Sequence, residues 1–123
     1  MNLNNKLYKL TYYKKSNGKY PFAEWLDKIK DYKTKAIVHT RLDRACLGNL
    51  GDYKLLGDGV FELRINYGAG IRIYIGFTGE DIILLLLGGD KKTQDKDIFS
   101  AKTFFNDYKK RNKIKWKEHT TRT

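Results

Sequence analysis

The run "DIILLLL", Asp81 to Leu87, does most to limit the folds open to this chain. Its apolar residues do not alternate with polar ones. Side chains of a strand point to opposite faces in turn, so a strand of this composition has to be covered on both faces. The turn Thr78-Gly79-Glu80 precedes it, and Gly88-Gly89 followed by the hydrophilic "DKKTQDKD" ends it. The stretch is far too short to span a bilayer as a helix. It predicts a central strand that ends in a cluster of lysines and acids at the edge of the core.

The two segments before it read as strands of the ordinary half-buried kind. In "VFELRINY", Phe61, Leu63, Ile65 and Tyr67 take one face, and Glu62, Arg64 and Asn66 the other. In "IRIYIGF", Ile71, Ile73, Ile75 and Phe77 face inward, and Arg72, Tyr74 and Gly76 outward. The link "YGAG" is a hairpin-type loop. A register that unites both apolar sets must put Arg64 and Arg72 together on the opposite face, with Glu62 and Tyr74 beside them. Two such arginines repel unless Glu62 or a bound anion compensates. The pair therefore reads either as a phosphate site or as a solvated sheet face bridged by Glu62.

Upstream, "KLYKLTYY" reads as a first strand and Asn17-Gly18 as a turn tip. Pro21 suits the first position of a helix whose stripe is Phe22, Trp25, Leu26 and Ile29. A second helix begins near Asp31 or Tyr32, carries Ile37, Val38, Leu42, Ala45 and Cys46 inward, and stops at Gly48. Tyr53 to Leu56 is a short edge strand. Downstream, Thr93 is placed to N-cap a last helix with the apolar face Ile98, Ala101, Phe105 and Tyr108. The basic tail, about residues 110–123, loses this stripe. The order β-α-α-β-β-β-β-α gives an α+β fold: one small, mainly antiparallel sheet, an N-terminal helical hairpin and a C-terminal helix. All 123 residues form a single domain.

Charge narrows the partners. Lys+Arg number 25 against 14 Asp+Glu, a formal net charge of +11. That excess favours a polyanion such as nucleic acid, an anionic membrane or an acidic protein, although it also serves solubility alone. Lys91, Lys92 and Gln94 follow the buried strand at a helix N-terminus, where free N–H groups favour anions. Gly88 and Gly89 are expected to let a ligand backbone approach closely. The single cysteine, Cys46, excludes an internal disulfide and reads as a core residue. His39 lies in the second helix and His119 in the tail, so they do not form an acid–base pair in one site. Glu24, Asp27 and Asp31 read as solvated helix charges, and no metal-ligand spacing, P-loop or nucleophile elbow occurs. The start "MNLNNKLYKL" has no signal-peptide core, which points to the cytoplasm.

Four segments in this order, "FAEWL", "RLDRACLGNLGDYKLLGDGVFELRI", "GAGIRIYI" and "LLLLGGDKKTQDKDI", resemble the RelE/ParE toxin superfamily, in particular its phage-related, HigB-like "addiction module killer" branch. The likeness covers about residues 20–105. It implies a RelE-like fold and the toxin of a type II toxin–antitoxin pair, with a helix-turn-helix antitoxin as partner. RelE-like and HigB-like members cut mRNA in the ribosomal A site without a metal or other cofactor. ParE-like members share the fold but poison DNA gyrase, and a plain RNA-binding module is a third possibility. Carried over residue by residue, the arginine of the family's "G-Y-R" strand matches Arg72 and that of its "L-R" strand matches Arg64. The basic residue after the last strand matches Lys91, and one before the hairpin matches Lys54. Two positions depart: Glu62 stands where RelE proper has a lysine base, and Asp97 falls near its C-terminal tyrosine. Either Tyr74 or a carboxylate such as Glu62 or Asp97 is then the substitute acid or base, or the activity differs. Lys92, Gln94 and Glu62 complete the expected RNA-binding set.

Overall fold

The computed structural model describes residues 7–79 and 81–121, with side chains described to residue 112. Glu80, the last residue of the expected turn at 78–80, and the side chains of Trp116 and His119 lie outside the described residues. The chain is an α+β fold built on one five-stranded mixed sheet. Its elements are β1 (Lys9–Tyr12), α1 (Pro21–Lys28), α2 (Tyr32–Cys46), β2 (Tyr53–Leu55), β3 (Val60–Ile65), β4 (Ile71–Thr78), β5 (Ile82–Gly89), a 3-10 turn (Lys91–Thr93) and α3 (Gln94–Thr121). The expected basic tail is a continuation of α3.

Strand order is β1-β5-β4-β3-β2. The run that limits the fold thus lies inside the sheet, between β4, antiparallel to it, and β1, parallel to it. Both its faces are covered. Ile83 and Leu85 join Phe22 and Leu26 of α1, Val38, Leu42 and Ala45 of α2, and Leu63, Ile73 and Ile75 in one core. Leu84 and Leu86 join Val60, Tyr74, Ala101, Phe105 and Tyr13 in a second core, under α3. Burying a large apolar side chain contributes about 1.5–3 kcal/mol, so leaving either face bare would be costly.

Local chemistry explains the helix ends. Pro21 opens α1, where its missing N–H would have no partner anyway. The Asp31 carboxylate accepts from the Lys33 N–H and caps α2. Gly48 follows α2 at φ +85°, a left-handed conformation that a side chain resists. The cap after β5 is Asp90 rather than the expected Thr93. Asp90 Oδ1 accepts from the N–H groups of Lys92 and Thr93, while Thr93 Oγ1 answers the Asp90 N–H. This is a capping box displaced by three residues, because it closes a 3-10 turn before α3 begins.

The sheet is mainly antiparallel, as expected, and β1 adds one parallel pairing with β5 at its edge. Two other expectations change at the sheet. The face carrying Glu62, Arg64, Arg72 and Tyr74 is not a solvated one, since α3 packs over it. The two glycines make room for helices rather than for a ligand. A Cβ on Gly88 would fall 2.1 Å from the Trp25 ring, and one on Gly89 would fall 1.9 Å from Asp97 Oδ2. Their missing side chains let α1 and α3 close on the two faces at the end of β5.

Candidate functional site

The β3–β4 hairpin has the expected register: Phe61 opposite Ile75, Leu63 opposite Ile73, and Ile65 opposite Ile71 on the α1/α2 face. The even positions therefore meet on the α3 face. Two cross-strand rows result. Lys54, Glu62, Tyr74 and Leu87 form one, and Arg64, Arg72 and Gly89 the other. Opposed side chains in such rows are neighbours at about 5 Å. Because Gly89 contributes no side chain, the Asp97 carboxyl of α3 occupies the end of the second row.

Charge is unevenly compensated here. Glu62 is fully buried (0% exposed). Its Oε1 accepts from Arg64 Nε at 2.8 Å, and its Oε2 accepts from Gln94 Nε2 at 2.8 Å. Burial pushes this carboxyl up, but the hydrogen bonds from Gln94 and Arg64 and the Arg64 charge outweigh it, leaving the group below its ordinary range. Arg64 is thus neutralised while its side chain stays 34% exposed. Arg72, 8% exposed, is not. Its Nη1 donates to the Ile71 carbonyl at 3.1 Å, its Nε is buried without a partner, and it makes no ion pair among the described residues. A buried guanidinium left in this state is costly, and an anionic ligand is the natural complement.

Two further titratable groups close the site. Tyr74 is fully buried, and its hydroxyl has no partner of hydrogen-bonding geometry among the described residues. Burial first, and then the nearby Glu62 charge, raise its pKa strongly. Asp97 is 7% exposed and accepts from Thr93 Oγ1 at 2.5 Å. Burial raises its pKa as well.

The remaining expected residues ring this centre. Lys91 lays its stem over Gly70 (φ +83°), where a Cβ would meet Lys91 Cγ at 2.9 Å, so the stem runs along the hairpin loop beside β4. Lys54 is exposed on β2, opposite Glu62. Lys92 is exposed in the 3-10 turn, and Gln94 is drawn inward by its bond to Glu62. Tyr74 lies too deep to act as an exposed docking anchor, whereas Leu10 and Tyr12 on β1 stand open.

Arg41 escaped the sequence reading. It donates from Nε and Nη2 to the Leu50 carbonyl, from Nη2 to that of Asp52, and from Nη1 to that of Arg64. It ties α2 and the loop before β2 to the backbone of the site arginine. The available signal was spacing: Arg41 lies three after Val38 and four before Ala45, on the buried stripe of α2. His39 is exposed on the same helix.

No described helix is long and apolar enough to cross a membrane. No protein-family profile matches the sequence. An uncharacterized protein of Haemophilus influenzae strain Rd is 48% identical over 81 residues, a match covering 66% of this chain and 82% of that protein. At that identity and coverage, the chain belongs to the same family as the Haemophilus influenzae protein.

Proposed function

We propose that this chain is the toxin of a type II toxin–antitoxin pair, with a RelE-like fold of the HigB-like branch, and that it cuts mRNA on the ribosome without a metal. The observation that carries the reading is the opposed Arg64–Arg72 pair, in which Arg72 is buried with no carboxylate among the described residues to neutralise it. In the proposed reaction a ribose 2′-oxygen attacks the adjacent phosphorus and the P–O5′ bond breaks. The products are a 2′,3′-cyclic phosphate and a 5′-hydroxyl. Arg72, with Arg64, stabilises the charge gathering on the phosphoryl oxygens. Lys91 and Lys54 hold neighbouring phosphates, and Lys91 protonates the departing 5′-oxygen. Glu62, Tyr74 and Asp97 are all buried, so the 2′-proton leaves to the ribosomal surroundings. Placement of the RNA by the ribosome then supplies much of the rate.

The same burial of Glu62 and Tyr74 favours a second reading, a ParE-type toxin that binds gyrase and has no acid–base chemistry. The silencing partner is a helix-turn-helix antitoxin, more acidic than this chain, that buries the open Leu10 and Tyr12. The test is induced expression with mRNA cleavage mapping on translating ribosomes, beside a gyrase supercoiling assay. Ribosome-dependent cuts are expected, with Arg72→Ala losing about 10²–10³ in rate and Arg64→Ala or Lys91→Ala less. Unchanged toxicity and cleavage in Arg72→Ala would reject the site, and inhibited supercoiling without cleavage would select the second reading.

A further inference from the structure

The outer face of α3 carries one large aromatic that the folded chain does not use: Phe99 is 74% exposed. A single exposed apolar residue is ordinary. The setting of this one is not. Lys96 lies one turn before it and Lys102 and Thr103 one turn after, with Asn106 and Lys109 continuing the same side. With Asp58 of the β2–β3 turn, Phe99, Lys102, Thr103, Asn106 and Lys109 line a groove of about 410 Å³. Two of its lysines lean on that turn: Lys102 Nζ lies 3.8 Å from Asp58 Oδ2, and Lys109 Nζ donates to the Asp58 carbonyl at 3.2 Å. Lys102 thus makes a loose ion pair with Asp58, and Lys109 Nζ also stands 4.6 Å over the Phe105 ring; Lys96 makes no ion pair among the described residues.

A bare ring flanked by cations at single-turn spacing is the arrangement that single-stranded nucleic acid requires. Bases stack on the ring face while lysines follow the phosphates. A duplex, whose bases already stack on one another, cannot use the ring in this way. The helix is also the one that covers the arginine site. Gln94, five residues before Phe99, touches Glu62 in the arginine site, so the ring stands about 7.5 Å further along the α3 axis and about 140° round it, on the outer side. We propose that the outer, Phe99-bearing face of α3, the helix that covers the Arg64–Arg72 site, is a stacking platform for single-stranded RNA. The proposal rests on the RNA-directed reading of that site for its biological use, but its measurement does not need cleavage.

The experiment is anisotropy titration of the full chain against a fluorescein-labelled oligouridine of about 12 nucleotides, within the site size of single-strand binders. The same oligomer paired into a duplex is run beside it, between about 50 and 200 mM salt. Phe99→Ala is expected to weaken single-strand binding about 5- to 100-fold at every salt concentration without altering the slope of log K against log[salt]. Phe99→Trp should retain the affinity and report binding by its own fluorescence, and Phe99→Leu should lose it despite keeping an apolar side chain. Lys102→Ala should instead reduce the slope by about 0.7. Because Phe99 is exposed, all its variants should melt with the wild type, which separates lost binding from lost fold.

A change below about twofold in Phe99→Ala, or equal affinity for strand and duplex, overturns the platform and leaves the exposed ring to a protein partner. Phe99-dependent binding by a chain that cuts no mRNA keeps the platform and rejects the nuclease. Cleavage by a chain whose strand binding is unaffected by Phe99 does the reverse.

Discussion

If Arg72 is kept for a ligand rather than for the fold, replacing it with methionine should make the protein more stable and less active. Methionine matches the length and most of the stem packing of arginine without its charge. Among the described residues the wild-type guanidinium, 8% exposed, makes one hydrogen bond, to the Ile71 carbonyl at 3.1 Å, and no ion pair. Burying a charge costs several kcal/mol even after relaxation, against about 1.5–3 kcal/mol recovered by one hydrogen bond from a charged donor. Arg64, directly opposite, adds repulsion that Glu62 relieves only on its own side. The difference favours Arg72→Met by about 1–2 kcal/mol, or roughly 3–10 °C in melting temperature for a chain of this size. Urea unfolding should show a higher midpoint at unchanged m-value. Inorganic phosphate should raise the wild-type midpoint and not that of the variant, because only a folded state with the charge binds it. A variant destabilised by more than about 1 kcal/mol would refute the reasoning, since the guanidinium would then be part of the packing.

Other expectations follow from the same geometry. Gly89→Ala should cost about 1–3 kcal/mol in urea unfolding, because its Cβ would fall 1.9 Å from the buried Asp97 carboxylate; a change within 0.5 kcal/mol would mean that α3 is not seated there (about the error of a surface substitution). Arg41→Ala should cost about 2–4 kcal/mol by freeing the carbonyls of Leu50, Asp52 and Arg64, with Arg41→Lys intermediate, and an unchanged midpoint would deny Arg41 its bracing role. Tyr13 should make the fold sensitive to alkali. Burial first, and then its hydrogen bond to Asp107 and that carboxylate's charge, push its pKa from 10.0 up to about 12. The native state therefore holds this proton more tightly than the unfolded chain. The resulting stability is complete below pH 10 and is lost between pH 10 and about 12, by at most about 2–3 kcal/mol. In Tyr13→Phe that loss should be absent, as circular dichroism against pH would reveal.

The parts of the fold legible in the sequence were those set by near neighbours along the chain. The odd-numbered apolar residues of β3 and β4 fix their register, and with it the meeting of Arg64 and Arg72. The two-faced apolar run of β5 requires two covering layers, and both are present. Which face each helix takes was not legible, because helix order alone does not state it. Charges at Glu62, Arg64 and Arg72 suggested water on a face that Val60, Tyr74, Leu84, Leu86, Ala101 and Phe105 in fact make into a core. The parallel pairing of β1 was hidden for a related reason: no turn chemistry marks a partner at the other end of the chain. Arg41 was overlooked because an arginine on an apolar stripe looks like an interruption, until its three carbonyl partners are brought together from distant positions.

The parallel edge also bears on the order in which the fold assembles. The β3–β4 and β4–β5 pairings join neighbouring segments, whereas Lys9 must wait for Ile82 and Tyr12 for Leu85. Closing so long a loop is slow, so the meander should form first and the amino-terminal strand dock late. Amide hydrogens of Lys9–Tyr12 should then exchange well before those of Ile71–Thr78, and substitutions in β1 should alter the unfolding rate rather than the folding rate. During synthesis, a chain that has not yet extended past Gly79 has no β5 for its first strand to join. Leu10 and Tyr12 then belong to an unpaired segment until β5 has been made, which leaves that strand of the nascent chain open to misassociation.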